Sequence, residues 1–387
     1  MVVPRYATRA ADVAVDEVRT TKDRDDFIRY PLERYAHDPM YVPPLVAERR
    51  EFIDPQQNPY FARAEAMLFV ARRYGAPVGR IAAVIDQRYN QFHRVNVGFV
   101  GMFESADDPG IASALLSAAG EWLRKRGVRE AMGPVNLAFH HDVGLLVEGF
   151  DRPPSMMMPY NPPSYAGLFE ANGFRKLKDL FSYEVTAQTP LPPKMTRLAD
   201  RVRQSGLVTV RTIDMSQAST EARRIKGVYD SMLKPGFGFA PISEEEFSHM
   251  VNRLRPLVSM RPELSLVAEV AGEAVAFSIT VPDSNLALKA AGGYLSKYGL
   301  PIGLAKFLWA ARKADRLRML LFAIKPGFRR RGIDALLTVE TMETARRLGF
   351  ASAELGWVRE DDTLVTRAVH AAGARRIRVY RIYSRPI

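Results

Sequence analysis

The sequence predicts an α/β protein with mixed sheets, arranged as two tandem copies of one unit. Three observations carry this expectation. The order strand, two helices, hairpin, strand, helix, strand, helix, strand occurs twice. A proline-rich stretch, Thr189-Pro190-Leu191-Pro192-Pro193, separates the copies and suits a stiff linker. The charge balance changes at the same place: residues 1–190 hold 23 Lys+Arg and 24 Asp+Glu, whereas residues 191–387 hold 32 and 19. The chain of 387 residues is 47% hydrophobic, enough apolar surface for two cores. The expected domains are 1–189 and 190–387.

In the first copy, alternating Val13 to Val18 reads as a short strand. Asp23 to Tyr35 follows as a helix with an acidic first turn, and Pro44 to Phe52 as a second, shorter one. Met67–Arg72 and Val78–Ile85 flank Tyr74-Gly75-Ala76-Pro77 and read as a hairpin. Val95–Phe103 is another strand, and Ile111–Arg126 a helix stopped by Gly127. A strand near Ala131, a long Gly/Pro-rich stretch, a helix over Tyr165–Ala171 and a strand around Leu180–Val185 close the unit. The second copy runs in the same order: strand Val208–Ile213, helices Glu221–Leu233 and Glu244–Leu254, and a hairpin of Leu264–Val270 with Ala274–Val281. Strand Met319–Ile324, helix Asp334–Leu348, strand Ala351–Leu355, helix Thr363–Ala371 and strand Ile377–Tyr383 complete it. Leu286 to Asp315 interrupts the repeat. Its apolar Ile302, Ala305, Phe307, Leu308 and Trp309 lie beside Lys306, Arg312 and Lys313, which fits either a substrate lid or an interdomain packing element.

Composition excludes several chemistries. The chain has no cysteine, so disulfides, thiolate nucleophiles and cysteine-ligated zinc are ruled out. Met1 to Asp16 lacks an apolar core of signal-peptide length, and no stretch approaches about 18 uninterrupted apolar residues. A cytoplasmic protein with no membrane partner is expected. A basic excess confined to one half argues against diffuse nucleic-acid binding and for two units with different partners.

The chemistry-bearing stretch is Ile324-Lys325-Pro326-Gly327-Phe328-Arg329-Arg330-Arg331-Gly332-Ile333-Asp334, between a strand and a helix. It resembles motif A of the GNAT-type N-acyltransferase superfamily, in which a strand runs into Pro-x-aromatic and then Arg/Gln-x-x-Gly-x-Gly/Ala opening a helix. Free amides at that helix start, aided by its dipole, favour the pyrophosphate of acyl-CoA. The resemblance implies a cofactor cradle of Arg329, Arg330, Arg331, Gly332, Ile333 and Asp334, with Ala323 and Ile324 on the strand that binds the acyl thioester. The co-substrate would be acetyl-CoA or another acyl-CoA, with no metal. Gly133–Asn136 (GPVN), Met156–Tyr165 (MMMPYNPPSY) and Glu354–Trp357 (ELGW) also resemble an uncharacterised bacterial group within the superfamily.

Departures from the family pattern matter. Asp334 stands where the motif has a final Gly/Ala; it is a good dipole partner but also a competitor for phosphate. The tyrosine that many members use to protonate the leaving thiolate corresponds to Val369 in the second copy and Phe169 in the first, and neither donates a proton. In the first copy the cradle is replaced by Glu104-Ser105-Ala106-Asp107-Asp108-Pro109-Gly110, whose carboxylates repel phosphate. That copy reads as a degenerate unit that builds part of a cleft or supports its neighbour.

Glu354, on the strand after motif A, reads either as a general base for an amine or as a salt-bridged strand glutamate. Tyr160, Asn161 and Tyr165 read as substrate-orienting groups or as a buried turn. His140-His141-Asp142 reads as a surface loop rather than a catalytic or metal pair, because adjacent histidines in extended chain point apart. Asp362 reads as a helix N-cap. The resemblance implies direct acyl transfer to a small-molecule or peptide amine. Two other readings stand beside it: a non-catalytic acyl-CoA or ligand-binding GNAT fold, motivated by Val369, Phe169 and Asp334, and an aminoacyl-tRNA-dependent Fem-type transferase with RNA on the basic half. Acceptor, acyl length and oligomeric state are not encoded in any motif.

Overall fold

The computed structural model describes residues 12–296 and 299–387. The start of the N-terminal segment that carried the signal-peptide reading, and positions 297–298 of the interrupting segment, lie outside them. The first half contributes β1 (Val13–Glu17), α1 (Thr21–Arg34), α2 (Val46–Phe52), β2 (Ala64–Arg73), β3 (Ala76–Asp86), α3 (Gln87–His93), β4 (Val97–Ser105), α4 (Pro109–Arg124), β5 (Glu130–Gly133), β6 (Leu145–Glu148), α5 (Tyr165–Ala171) and β7 (Arg175–Thr186). The second half contributes α6 (Pro193–Gln204), β8 (Thr209–Thr212), α7 (Ala218–Met232), α8 (Glu244–Met260), β9 (Leu266–Val270), β10 (Glu273–Pro282), α9 (Asn285–Ala291), α10 (Ile302–Ala311), β11 (Arg316–Ile324), α11 (Ile333–Arg347), β12 (Ser352–Arg359), α12 (Thr363–Ala371) and β13 (Arg375–Pro386).

These strands form one mixed sheet in the order β1-β2-β3-β4-β5-β13-β7-β12-β11-β10-β9-β8, with β6 paired to β13. The two units therefore exchange their last strands. β13, at the end of the chain, lies between β5 and β7, and β7 lies between β13 and β12. One sheet thus runs through strands of both units.

The exchange explains most of the basic closing strand. Arg381 makes a two-pronged bond to Asp179 (2.8 and 3.1 Å), Arg376 meets Glu148 (3.4 Å) and Arg375 lies 4.0 Å from Glu184. All three carboxylates belong to the first half. Part of the charge asymmetry is thus two halves of one set of cross-strand pairs.

Helices cover both faces. α4 packs its apolar side, including Leu115, Leu116 and Trp122, on one face of the first unit, while α1 and α2 bring Phe27, Ile28 and Phe52 to the other. In the second unit α7 and α8 bury Val228, Tyr229 and Phe247 against β10 and β11. α11 lies opposite, with Ile333 and Leu337 on Val275 and Ala276. β10 is consequently buried on both faces over Ala274–Pro282.

α6 is absent from the sequence expectation, which places only a linker there. Pro193 starts it, and Met195, Ala199 and Val202 form an apolar stripe that packs on Leu336 and Val339 of α11. The seam between the halves is also tied by Arg88–Glu246 (2.5 Å), Arg253–Glu48, and Val46 N–H to Gly293 O (2.9 Å). Among the described residues, no helix is long and apolar enough to cross a membrane.

Candidate active site

β11 and β12 run parallel, but they are in register only from Arg316↔Ser352 to Met319↔Leu355. Beyond that pair they part. The cause is local: β11 carries an extra residue at Leu320 relative to β10, and a bulge of this kind bends a strand away from its neighbour. Alternate amides of Leu320–Ile324 on the β12 side are thus left without a strand partner. The first unit repeats the device, since β4 and β5 pair only from Val97↔Glu130 to Phe99↔Met132 and β4 shifts register where Met102 takes φ 48°.

β11 leads directly into the motif A loop. Pro326–Phe328 form one tight turn, Arg330 has φ 61°, and Gly332 has φ 79° at the start of α11. No side chain caps α11, so its first amides are open. Arg329, Arg330 and Arg331 are exposed, and among the described residues none is paired with a carboxylate; Arg331 lies over the Phe328 ring at 5.2 Å. Ala323 is buried against the α7–α8 side, whereas Ile324 packs with Phe328 on the α11 side. Asp334 sits in the first turn of α11. An uncapped helix start ringed by three free guanidinium groups suits a polyanion such as a pyrophosphate. Gly332 has a structural reason of its own: a Cβ there would lie 2.8–2.9 Å from Leu198 and Val202 of α6.

The first unit differs at the corresponding turn. Asp108 caps α4 by accepting from Gly110 N–H (2.8 Å) and pairs with Arg73 (2.5 Å), while Asp107 pairs with Arg34 (2.9 Å). Glu104 is buried and accepts from Tyr35 (2.6 Å) and Tyr165 (3.0 Å). Burial pushes its carboxyl above the usual range, against the opposing pull of Arg80 and the two phenols. The helix start is filled by the protein's own carboxylate.

Glu354 is not placed to act as a base. It is buried, and its carboxylate accepts from Ser155 Oγ (2.5 Å), Ser182 Oγ and Arg378 Nη1 (2.8 Å). Burial would raise its pKa, but Arg378, Arg318 and the two hydroxyls outweigh that and hold it below the usual glutamate range. Arg318 closes the foot of the opening between the strands. It donates to Gly356 O (2.6 Å), Met156 O (3.2 Å) and Glu354 O (3.3 Å).

The three residues expected to orient substrate are likewise engaged. Tyr160 donates to Asp38. Asn161 is buried and holds Leu146 through both its N–H (2.8 Å) and its carbonyl (3.1 Å). Tyr165 belongs to the Glu104 cluster and also contacts Ser105. Val369 is buried with Tyr183, Val185 and Val358, and Phe169 lies in the core of the first unit. Asp362 caps α12 by accepting from Val365 N–H (3.1 Å).

His140 and His141 do not form the surface loop that the sequence suggests. His140 lies 3.0 Å from Glu246 of α8, and His141 packs edge-on against Phe52. Burial, with His140 beside it, holds His141 well below the usual imidazole range. Among the described residues no group of three or more His, Asp or Glu could hold a metal.

Sequence reading misses an aromatic wall packed on β12. The α7–α8 loop brings Phe239 flat against Trp357 of β12, with centroids 5.1 Å apart and an 8° interplanar angle. Phe139 joins edge-on to Phe237 and Trp357, and stacks on Tyr89. His93 accepts Gly236 N–H (2.9 Å), which holds the loop from the first unit. The repeated aromatics of Lys234-Pro-Gly-Phe-Gly-Phe239 were the available signal. On the other side of β11 and β12, a cavity of about 60 Å³ is lined by Thr280, Met319, Thr338, Met342 and Leu355.

No family model matches the chain. It is 33% identical over 384 residues to the bacterial ceramide synthase of Caulobacter vibrioides, covering 97% of this chain and 98% of that protein. The chain belongs to the family of the bacterial ceramide synthase. Protein YghO of Escherichia coli is 31% identical over 380 residues, with 96% and 95% covered. Two solved structures share the fold across both units. A GCN5-related N-acetyltransferase from Sphaerobacter thermophilus matches with TM-score 0.53 and 16% identity, covering 98% of this chain and 97% of that one. A tandem GNAT protein from the clavulanic acid biosynthesis pathway matches with TM-score 0.56 and 11% identity, covering 97% and 98%. The ceramide-synthase family thus carries a tandem GNAT-type fold here, with its terminal strands exchanged.

Proposed function

We propose that the protein is an N-acyltransferase that moves a fatty acyl group from an acyl-CoA to the amine of a long-chain amino alcohol, giving a ceramide-type amide. The observation that carries this reading is the relationship with the bacterial ceramide synthase over essentially the whole chain. The open α11 start and its three free arginines fit the pyrophosphate, and the aromatic wall of Phe139, Phe237, Phe239 and Trp357 fits an alkyl chain better than a polar amine.

The cradle arginines would hold the nucleotide end, and the unpartnered amides of β11 beyond Leu320 would donate to the thioester carbonyl oxygen as it gains charge. The amine nitrogen attacks the carbonyl carbon, the C–N bond forms and the C–S bond breaks. The nitrogen loses its proton to solvent, and the sulfur leaves as thiolate. A thiol with a pKa of about 8.5 is a tolerable leaving group without a donor, which suits Val369 at the usual tyrosine position. Positioning supplies much of the rate. Seating an alkyl chain against this wall requires the α7–α8 loop, whose Phe239 is stacked on Trp357, to move. Gly236 and Gly238, at φ 134° and 106°, give that loop its freedom.

The test is product formation by mass spectrometry with palmitoyl-CoA and sphinganine, beside acetyl-CoA and short polar amines. An N-acyl product from the long-chain pair with stoichiometric CoA release is expected. Turnover confined to short polar amines would overturn the acceptor assignment.

A further inference from the structure

Exposed apolar side chains are concentrated in one place. Of the thirteen large apolar residues exposed among the described residues, seven lie between positions 286 and 309: Leu286, Leu295, Leu300, Ile302, Leu304, Leu308 and Trp309. α10 explains the clustering. Gly303, Phe307 and Ala310 form the narrow stripe by which it leans on α9 and the preceding turn, where a Cβ at Gly303 would strike the Tyr294 carbonyl. The rest of the helix faces solvent, with Leu308 54% and Trp309 61% exposed. Monomeric soluble proteins rarely leave so contiguous a patch uncovered.

The charges point to what covers it. Positions 284–314 contain five basic residues and no acidic one. Lys306, Arg312 and Lys313 lie within or just after α10, and among the described residues none is paired with a carboxylate; Lys313 instead sits 3.6 Å over the Trp309 ring. A short helix that is apolar on its open side, carries tryptophan and has Lys306, Arg312 and Lys313 along or just after it matches the headgroup–acyl boundary of an anionic bilayer. A protein partner of matching charge would be the less economical occupant, since the apolar side chains need no specific complement in lipid.

We propose that α10 is a membrane-surface anchor that seats the enzyme on anionic phospholipid. This replaces the expectation of no membrane partner. The anchor is argued from exposure and charge, so it stands or falls apart from the acceptor proposed above. α9 connects it to the seam, where Lys289 donates to Pro39 O and Gly293 O accepts from Val46, so a docked α10 lies alongside the first unit's α1–α2 connection.

The test is co-sedimentation of the full chain with vesicles of equal parts phosphatidylglycerol and phosphatidylcholine, against phosphatidylcholine alone. Salt-sensitive binding to the anionic vesicles is expected, weakening about fivefold for each of Lys306, Arg312 and Lys313 changed to Gln. Replacing Leu308 and Trp309 together by Ser is expected to weaken it tenfold or more. These sites are exposed, so thermal stability stays unchanged and serves as the folding control. A blue shift of tryptophan emission on vesicle addition, lost in Trp309→Phe while binding persists, would place that side chain in the lipid. Absence of binding to anionic vesicles, or binding indifferent to both sets of substitutions, overturns the proposal. So does a dimer that dissociates on Leu308→Ser/Trp309→Ser without vesicle binding, because the patch would then be covered by a second copy.

Discussion

Glu354→Gln separates a structural glutamate from a catalytic one. The substitution keeps shape and removes charge. It leaves Arg378 buried, still donating to Arg152 O (3.1 Å) and Pro153 O (2.6 Å) but without its 2.8 Å carboxylate partner. Breaking a buried pair by removing one partner costs about 3–5 kcal/mol, and Gln still accepts from one serine, so the low end applies, about 3 kcal/mol. For a chain of 387 residues that is a fall in Tm of about 4 °C. Because Glu354 is held below the usual glutamate range, its contribution is complete above that range. It is lost as pH falls through the folded value, where Glu354 becomes neutral like Gln. The Tm difference from wild type is therefore widest near neutral pH and closes in acid. Differential scanning calorimetry from neutral pH downward measures it, alongside the acyl-transfer rate of the folded variant. An unchanged Tm at neutral pH with abolished transfer would refute the structural assignment and restore Glu354 as a base.

Other outcomes are specific to single contacts. Arg329→Ala with Arg330→Ala is expected to raise KM for acyl-CoA about tenfold or more with little change in kcat, read from initial rates, because on the proposed reading the guanidinium groups would touch the nucleotide end and not the reacting carbon. Gly332→Ala lowers Tm by several degrees, since a left-handed φ of 79° and the close Leu198 and Val202 contacts together cost about 1–3 kcal/mol; calorimetry checks it, and an unchanged Tm would leave phosphate contact as the glycine's only reason. Phe239→Ala removes the stacked face on Trp357 and lowers kcat/KM for a long-chain amine more than for a short one, measured with two amines of different length.

Much of the fold was legible because its signals are local. Both hairpins, the α4 and α11 periodicities and the motif A turn follow from alternation, 3.6-residue spacing and Gly/Pro punctuation within short windows. The strand exchange was not, because pairing Arg381 with Asp179 across 202 residues leaves no local trace. Its sequence shadow was the basic excess of the closing strand, which a pyrophosphate ligand does not explain and pattern reading leaves without a partner. α6 was readable in the spacing of Met195, Ala199 and Val202, but the prolines before it read as linker. In the candidate site, the loop of three arginines was visible as a motif. The aromatic wall was not, because Phe139, Phe237 and Trp357 come from three distant segments. Glu354 stands out for its place on the strand after motif A, and Asn161 and Tyr165 for a Pro-bounded segment that mixes apolar and polar groups, but buried polar residues are as often structural hubs as catalysts.

The claim on which the account rests is that the parted strands and open helix of the second unit seat a long-chain acyl-CoA. Calorimetric titration with a non-hydrolysable palmitoyl-CoA analogue tests it most directly. One saturable site per chain is predicted, weakened about tenfold or more by Arg329→Ala with Arg330→Ala and left intact by Arg73→Ala at the capped turn of the first unit. No saturable binding, or binding unaffected by the Arg329 and Arg330 substitutions, would contradict it.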